Sequence, residues 1–158
     1  MSREQYLEKK VGFVASCFDL LHAGHCLMLK DANQQCDYLI AGLQTDPTID
    51  RPEKNKPIMS FEERRIILSS NRYVDEILIY ETEEDLKKAL ERIKPDVRIL
   101  GSDYYQVDTG GPAYFTGMGT EKEVYYHDRS GHGWSSSGLR NRIFKAEQNK
   151  ENDSAQGK

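Results

Sequence analysis

Val11-Gly12-Phe13-Val14-Ala15-Ser16-Cys17-Phe18-Asp19-Leu20-Leu21-His22-Ala23-Gly24-His25 is the stretch on which the fold turns. Residues 11–17 are apolar and β-prone, and Asp19, two leucines and a histidine-glycine turn follow at once. That is the pattern of a buried strand feeding a loop. From Gly24 to Gln35, Leu27, Leu29 and Ala32, with Cys36 just beyond, recur among polar residues at mixed helical spacing, so a helix comes next.

Downstream the same alternation repeats. Tyr38 to Leu43 is a second apolar strand, and residues 44–59, with Pro47, Pro52, Pro57 and several charges but no periodicity, read as a long exposed loop. Loops of that length in compact domains are often functional. Ser60-Phe61-Glu62-Glu63 fits a capping box opening a helix that Ile66, Ile67 and Ser70 continue. Ile77-Leu78-Ile79-Tyr80 is a strand, Glu83 to Lys94 a helix stopped by Pro95, and Val97-Arg98-Ile99-Leu100 a strand ending in Gly101. A glycine-rich irregular loop over 106–120 precedes the strand Val124-Tyr125-Tyr126, and a last helix runs from Ser136 to Glu147. Strands alternating with helices give parallel strands joined by right-handed crossovers, with helices on both faces. The expected fold class is α/β, a doubly wound parallel sheet of about five strands. It forms a single domain over 1–148, and 149–158 is expected to be a disordered polar tail.

Composition narrows the function. The 158 residues carry 26 acidic and 22 basic side chains, a net charge of −4 spread along the chain, which favours neither nucleic acid nor a membrane surface as partner. No run approaches the roughly 20 apolar residues of a membrane span, and the N-terminus has no apolar signal region, so a cytoplasmic location is expected. Cys17, Cys26 and Cys36 form no C-x-x-C pair and read as buried or incidental thiols.

In open α/β sheets ligands bind beyond the carboxyl ends of the strands, where His22 and His25 fall. Three residues apart at a helix start, they can face one side, where free amides and the helix dipole draw an anion. Gly24 between them permits close approach of a phosphate. Two imidazole donors there suit a phosphoryl centre gaining charge, and losing one such donor costs roughly 3 kcal/mol of barrier. Taken alone, the pair also fits a helix cap with a half-buried polar residue, or a metal site with Cys17 and Cys26.

The segment Phe18-Asp19-Leu20-Leu21-His22-Ala23-Gly24-His25 resembles the F-D-x-x-H-x-G-H signature of cytidylyltransferase-like nucleotidyltransferases. Arg72-Tyr73-Val74-Asp75-Glu76 is similar to a segment of glycerol-3-phosphate cytidylyltransferases. Arg129 followed by Gly133-Trp134-Ser135-Ser136-Ser137 is similar to their R-x-x-G-I-S-T-T, with one extra residue between arginine and glycine. Gly101-Ser102-Asp103-Tyr104 is similar to the G-G-D-Y of the adenylyltransferase domain of bifunctional heptose-phosphate enzymes.

The resemblance implies a Rossmann-like fold, a homodimer, and Mg2+ or another divalent cation carried with the triphosphate. It implies transfer of CMP from CTP to a small phosphorylated alcohol such as glycerol 3-phosphate, with release of pyrophosphate. ATP with a sugar phosphate is the alternative, and a non-catalytic nucleotide-sensing module a second one. His22 and His25 would stabilise the transition state. A loop lysine, Lys54 or Lys56 with Lys56 preferred, would reach the phosphates. The nucleotide would be bound by Cys17, Phe18, Asp19, Gly24, Lys54, Asp103, Arg129, Ser135, Ser136 and Ser137, and the second substrate by Asp19, Arg72 and Tyr114. Without the resemblance, the serines read as an N-cap, the arginines as surface ion pairs and Asp103 as a turn residue. Tyr114 and Phe115 either wall a pocket or anchor their loop.

Overall fold

Alternate residues of a strand point to opposite faces of a sheet, and the chain uses that period to build two cores. The computed structural model describes residues 2–106, 111–112 and 114–156. Strands β1 (Val11–Ser16), β2 (Tyr38–Gln44), β3 (Glu76–Tyr80) and β4 (Val97–Gly101) alternate with α1 (Ala23–Gln34), α2 (Phe61–Ser69) and α3 (Glu83–Ile93). A two-stranded ribbon, β5 (Tyr105–Gln106) and β6 (Gly111–Pro112), precedes β7 (Glu123–His127) and α4 (Ser136–Gln156). The main sheet is parallel, with the order β3-β2-β1-β4-β7.

Val11, Phe13, Ile40 and Leu78 pack against Leu86, Ala89, Leu90 and Ile93 of α3 on one face. On the other, Val14, Leu39, Ala41, Leu43, Val97 and Ile99 pack against Leu29 and Ala32 of α1 and Leu68 of α2. Each fully buried leucine contributes about 1.5–3 kcal/mol. The doubly wound α/β expectation therefore holds, and its physical root is this split of each strand's apolar residues between two helical layers.

Helix ends follow the chain's local chemistry. Ser60 Oγ accepts the Glu63 N–H while the Glu63 carboxylate accepts the Ser60 N–H at 2.8 Å, the reciprocal cap read from the sequence. Helix α3 stops at Ile93 because Lys94 adopts a left-handed φ of 47° ahead of Pro95. Helix α4 runs nine residues beyond the Glu147 boundary, through Gln156, so residues 149–156 continue a helix instead of forming a disordered tail. Lysine, glutamate and glutamine are good helix formers, and Lys150 pairs with Glu147 at 2.7 Å. The 44–59 segment also differs from a wholly exposed loop, since β2 extends to Gln44 and both Gln44 and Pro47 are buried. Leu27, two residues before Leu29 and so on the opposite side of α1, is exposed. Among the described residues no helix is long and apolar enough to cross a membrane.

The sheet's most consequential feature lies between its two central strands. β1 and β4 pair at Gly12 with Val97 and Phe13 with Arg98. Beyond that register Val14–Ser16 and Ile99–Gly101 line a cavity. This opening is the topological switch point, where strand order reverses.

Candidate active site

The turn after β1 is strained: Phe18 and Leu20 take left-handed φ of 50° and 49°, each costing an L-residue about 1 kcal/mol or more. Ser16 Oγ steadies it by accepting the Phe18 N–H at 3.3 Å. The turn delivers His22, with extended backbone, to the cap position of α1.

His22 Nδ1 accepts the Gly24 N–H at 3.1 Å, and His25 Nδ1 accepts the His22 N–H at 3.4 Å. Two imidazoles thus perform the reciprocal capping usually done by Ser and Glu. Because both Nδ1 atoms accept, each neutral ring carries its proton on Nε2. The rings stack with centroids 4.0 Å apart, and His22 Nε2 lies 3.3 Å from Ser136 Oγ at the start of α4. Burial, then the charges of Arg129, His132 and Arg142, holds the His22 imidazole below its usual range. Burial, together with His22 and Arg129, pushes His25 down to about 3. Both are neutral N–H donors near pH 7.

A pH dependence of stability follows. Since the unfolded chain protonates His25 near pH 6.5 and the folded chain only near 3, the folded state loses ground as pH falls through that window. The slope from this group is at most about 1.4 kcal/mol per pH unit. Urea midpoints measured from pH 7.5 to 4 are expected to decline less steeply in His25→Gln than in the native chain.

Two cavities meet at His25, and His22 walls one of them. The smaller, of about 350 Å3, is walled by His22, Gly24, Asp103, Arg129, Trp134 and the serines 135–137. Trp134 stacks on His132 with centroids 5.2 Å apart, a flat apolar surface beside two helix N-termini. A Cβ on Gly24 would meet the Trp134 carbonyl oxygen at 2.9 Å, so this close approach requires glycine. Arg129 Nη1 donates to Asp103 Oδ1 at 3.1 Å. His127 Nδ1 and Tyr125 Oη converge on Asp31 of α1 at 2.8 and 3.0 Å, fixing β7 against that helix.

The larger cavity, of about 500 Å3, runs from His25 down the open seam between β1 and β4. Asp19, Arg51, Lys54, Glu83, Arg98 and Arg140 give it a charged lining. Asp19 accepts from Arg140 Nη2 at 2.6 Å and from the Ile58 and Met59 amides at 3.1 and 2.9 Å. It ties the β1 turn to the loop and to α4. Arg51 donates to Gln44 Oε1 at 2.7 Å and pairs with Glu83 at 2.9 Å.

Of the residues read from the sequence, His22, Gly24, His25, Asp103, Arg129, Ser135, Ser136 and Ser137 surround the smaller cavity. Cys17, Phe18, Asp19, Lys54 and Tyr114 line the larger one. Ser135 also caps α4, accepting the Gly138 N–H at 3.0 Å. Two residues fall elsewhere. Lys56 lines neither cavity and offers its backbone carbonyl to Arg140 at 3.1 Å, which leaves Lys54 as the loop lysine at the wall. Arg72 precedes β3 and is exposed, its guanidinium 5.6 Å from the Tyr73 ring centroid. In a parallel sheet that is the edge opposite the cavities. Both aromatics wall the larger cavity, Tyr114 80% exposed on its rim and Phe115 buried in its depth. Asp108 and Gly110 of that loop lie outside the described residues.

The metal alternative has no geometric support. Cys17 Sγ accepts from Arg64, Cys26 Sγ from Asn71, and among the described residues no group of three His, Cys, Asp or Glu is placed to hold an ion. Sequence reasoning passed over Arg140, Arg51, Arg98 and Arg64. Only Arg140 carried a signal, one helical turn after Ser136 and so on its face.

A family model described as cytidylyltransferase-like matches residues 13–155, which include both cavities. The chain belongs to the cytidylyltransferase-like family. This family member is 34% identical over 111 residues to the "Bifunctional protein HldE" of Helicobacter pylori strain HPAG1, covering 70% of this chain and 24% of the relative. It is 36% identical over 120 residues to the protein of that name from Nitrobacter hamburgensis, covering 75% and 24%. It therefore spans about a quarter of the length of these relatives. Among solved structures, it is similar to the lipopolysaccharide core biosynthesis protein from Thermoplasma volcanium GSS1. The TM-score is 0.56 at 25% identity, covering 75% of this chain and 97% of that one.

Proposed function

We propose that this cytidylyltransferase-like chain transfers an adenylyl group from ATP to a sugar phosphate, releasing pyrophosphate. The observation that carries the reading is the meeting of two cavities at His25, whose neutral imidazole stacks on that of His22 in the smaller one. The smaller cavity suits a nucleotide, with a stacking surface for a base and two helix N-termini for phosphates. The larger, lined by Arg51, Lys54, Arg98 and Arg140 against Asp19 and Glu83, suits a phosphorylated acceptor.

An acceptor phosphate oxygen attacks the α-phosphorus in line, and the bond from that phosphorus to the β-bridging oxygen breaks. The electron pair leaves on pyrophosphate. No general base is required, because a phosphate monoester with a second pKa of about 6 is already largely dianionic. The Nε2–H groups of His22 and His25 stabilise charge on the transferring group, and Ser136, Arg129 and Lys54 hold the flanking phosphates. Asp19 is saturated by protein donors and Asp103 is paired with Arg129. A Mg2+ ion would therefore be held chiefly by the triphosphate's own oxygens, where it neutralises charge on the leaving pyrophosphate.

The motif resemblance to glycerol-3-phosphate cytidylyltransferases led first to CTP and a phosphorylated alcohol. The Gly101–Tyr104 stretch, the bifunctional relatives and the lipopolysaccharide-core neighbour together favour ATP and a sugar phosphate. Pyrophosphate release with ATP or CTP, paired with sugar 1-phosphates or glycerol 3-phosphate, is the test. The largest kcat/KM is expected with ATP and a sugar phosphate. A better result with CTP and glycerol 3-phosphate replaces this reading by the cytidylyl one, and no release with any pair favours the nucleotide-sensing module.

A further inference from the structure

Arg98 sits in β4 with only 2% of its surface exposed, on the face that carries Phe13. Its guanidinium carbon lies 5.4 Å from the Phe13 ring centroid and 5.2 Å from that of Phe115, so it is held between two aromatic rings. Nη1 donates to the Thr116 carbonyl at 3.1 Å, and Nε is buried without a partner. Among the described residues no carboxylate pairs with it. Glu83, the acidic side chain on the same cavity wall, is bound to Arg51 and to Thr116 Oγ1. Burial pushes the Arg98 guanidinium down to about 10.

Glu121 and Glu83 favour its charge only through space, and a buried cation that touches no carboxylate costs several kcal/mol, which a structural residue would avoid. A clamp on one loop carbonyl does not need a full positive charge. Arg98 also lies in the wall of the larger cavity. It stands three residues before Gly101, about 10 Å down the strand from the level where the histidines work. The reacting phosphate must sit at those histidines, so whatever meets Arg98 belongs to the far end of the acceptor.

We infer that the floor of the acceptor cavity is an anion subsite centred on Arg98, and that the acceptor is a sugar phosphate bearing a second, distal anionic group, a carboxylate or a further phosphate. The inference rests on the larger cavity being the acceptor site. Arg98 supplies the charge-assisted bonds, and Phe13 and Phe115 fix the plane of its guanidinium.

Matched probes test it by calorimetry on the full chain: glucose 1-phosphate, glucose 1,6-bisphosphate and glucuronic acid 1-phosphate. At least one doubly anionic probe is expected to bind about tenfold or more tightly than glucose 1-phosphate, the gain of one buried charge-assisted contact. Arg98→Met is expected to erase that advantage, and Arg98→Lys to retain part of it. ATP affinity, measured in parallel, reports the other cavity: its retention shows that each variant is folded, and its absence in the native chain counts against the proposed nucleotidyl transfer separately. Equal affinity of the native chain for all three probes overturns the subsite. So does an advantage that survives Arg98→Met, since surface charge would then explain it.

Discussion

His25→Ala is expected to lower kcat about a hundredfold or more, while the native fold persists. The Nε2–H of His25 is a fixed donor at the junction of the two cavities, and removing a donor of that kind from a transferring oxyanion costs roughly 3 kcal/mol of barrier. The structural cost is smaller. Alanine leaves the His22 N–H without its 3.4 Å acceptor and opens a gap beside Phe18, whose ring centroid lies 5.5 Å away. Loss of half a cap is worth about 1 kcal/mol. The two effects separate in one set of measurements, steady-state turnover beside a urea titration. Near-native turnover in a folded His25→Ala variant removes the residue from the chemistry.

The largest loss of stability is expected at Arg64, which no catalytic argument singles out. Its side chain is 2% exposed, and Nη1 donates to the carbonyls of Cys17 at 2.8 Å and Gln44 at 2.7 Å. Nη2 reaches the Thr45 carbonyl, and Nε donates to that of Met59 at 3.3 Å. One guanidinium therefore stitches the ends of β1 and β2 to the close of the 44–59 loop. Arg64→Met leaves four carbonyls to find new donors, each worth about 1–3 kcal/mol if buried unpaired. With partial relief by water the net loss is about 3–5 kcal/mol, a drop in Tm of about 10 °C for a domain of this size. Arg64→Lys is expected to recover little, because an ammonium lacks the planar fork that serves several acceptors at once. A scanning-calorimetry midpoint for Arg64→Met within about 3 °C of native would refute the assignment.

How much of this was legible in the sequence depended on the range of the interactions. The five parallel strands and the caps at Ser60 and Pro95 are written in local periodicity and side-chain chemistry, and the structure reproduces them. His22, Gly24, His25 and Ser135–Ser137 could be read together because a resemblance joined segments that local chemistry alone treats as separate caps. Lys54 against Lys56 could not be decided, since a loop without periodicity does not reveal which side chain turns inward. The position of Arg72 could not be read from its motif, which abuts β3 at the amino end of a parallel strand, away from both cavities. Arg64 and Arg98 were invisible because a charged residue in a helix or strand reads as solvated, and only the assembled fold surrounds them with carbonyls or rings.

The smaller cavity is assembled by α1, the end of β7 and the start of α4, while the deep part of the larger one is closed by the 44–59 loop and the segment around Phe115 and Thr116. Their common wall is short, centred on Ser16, His25, Gly101 and Ser136. Such an arrangement is modular. Under the proposed assignment, those two segments can be lengthened or recharged without disturbing the walls of the smaller cavity. Diversification of this scaffold is then expected to proceed by swapping what receives the nucleotide more readily than by changing which nucleotide is given.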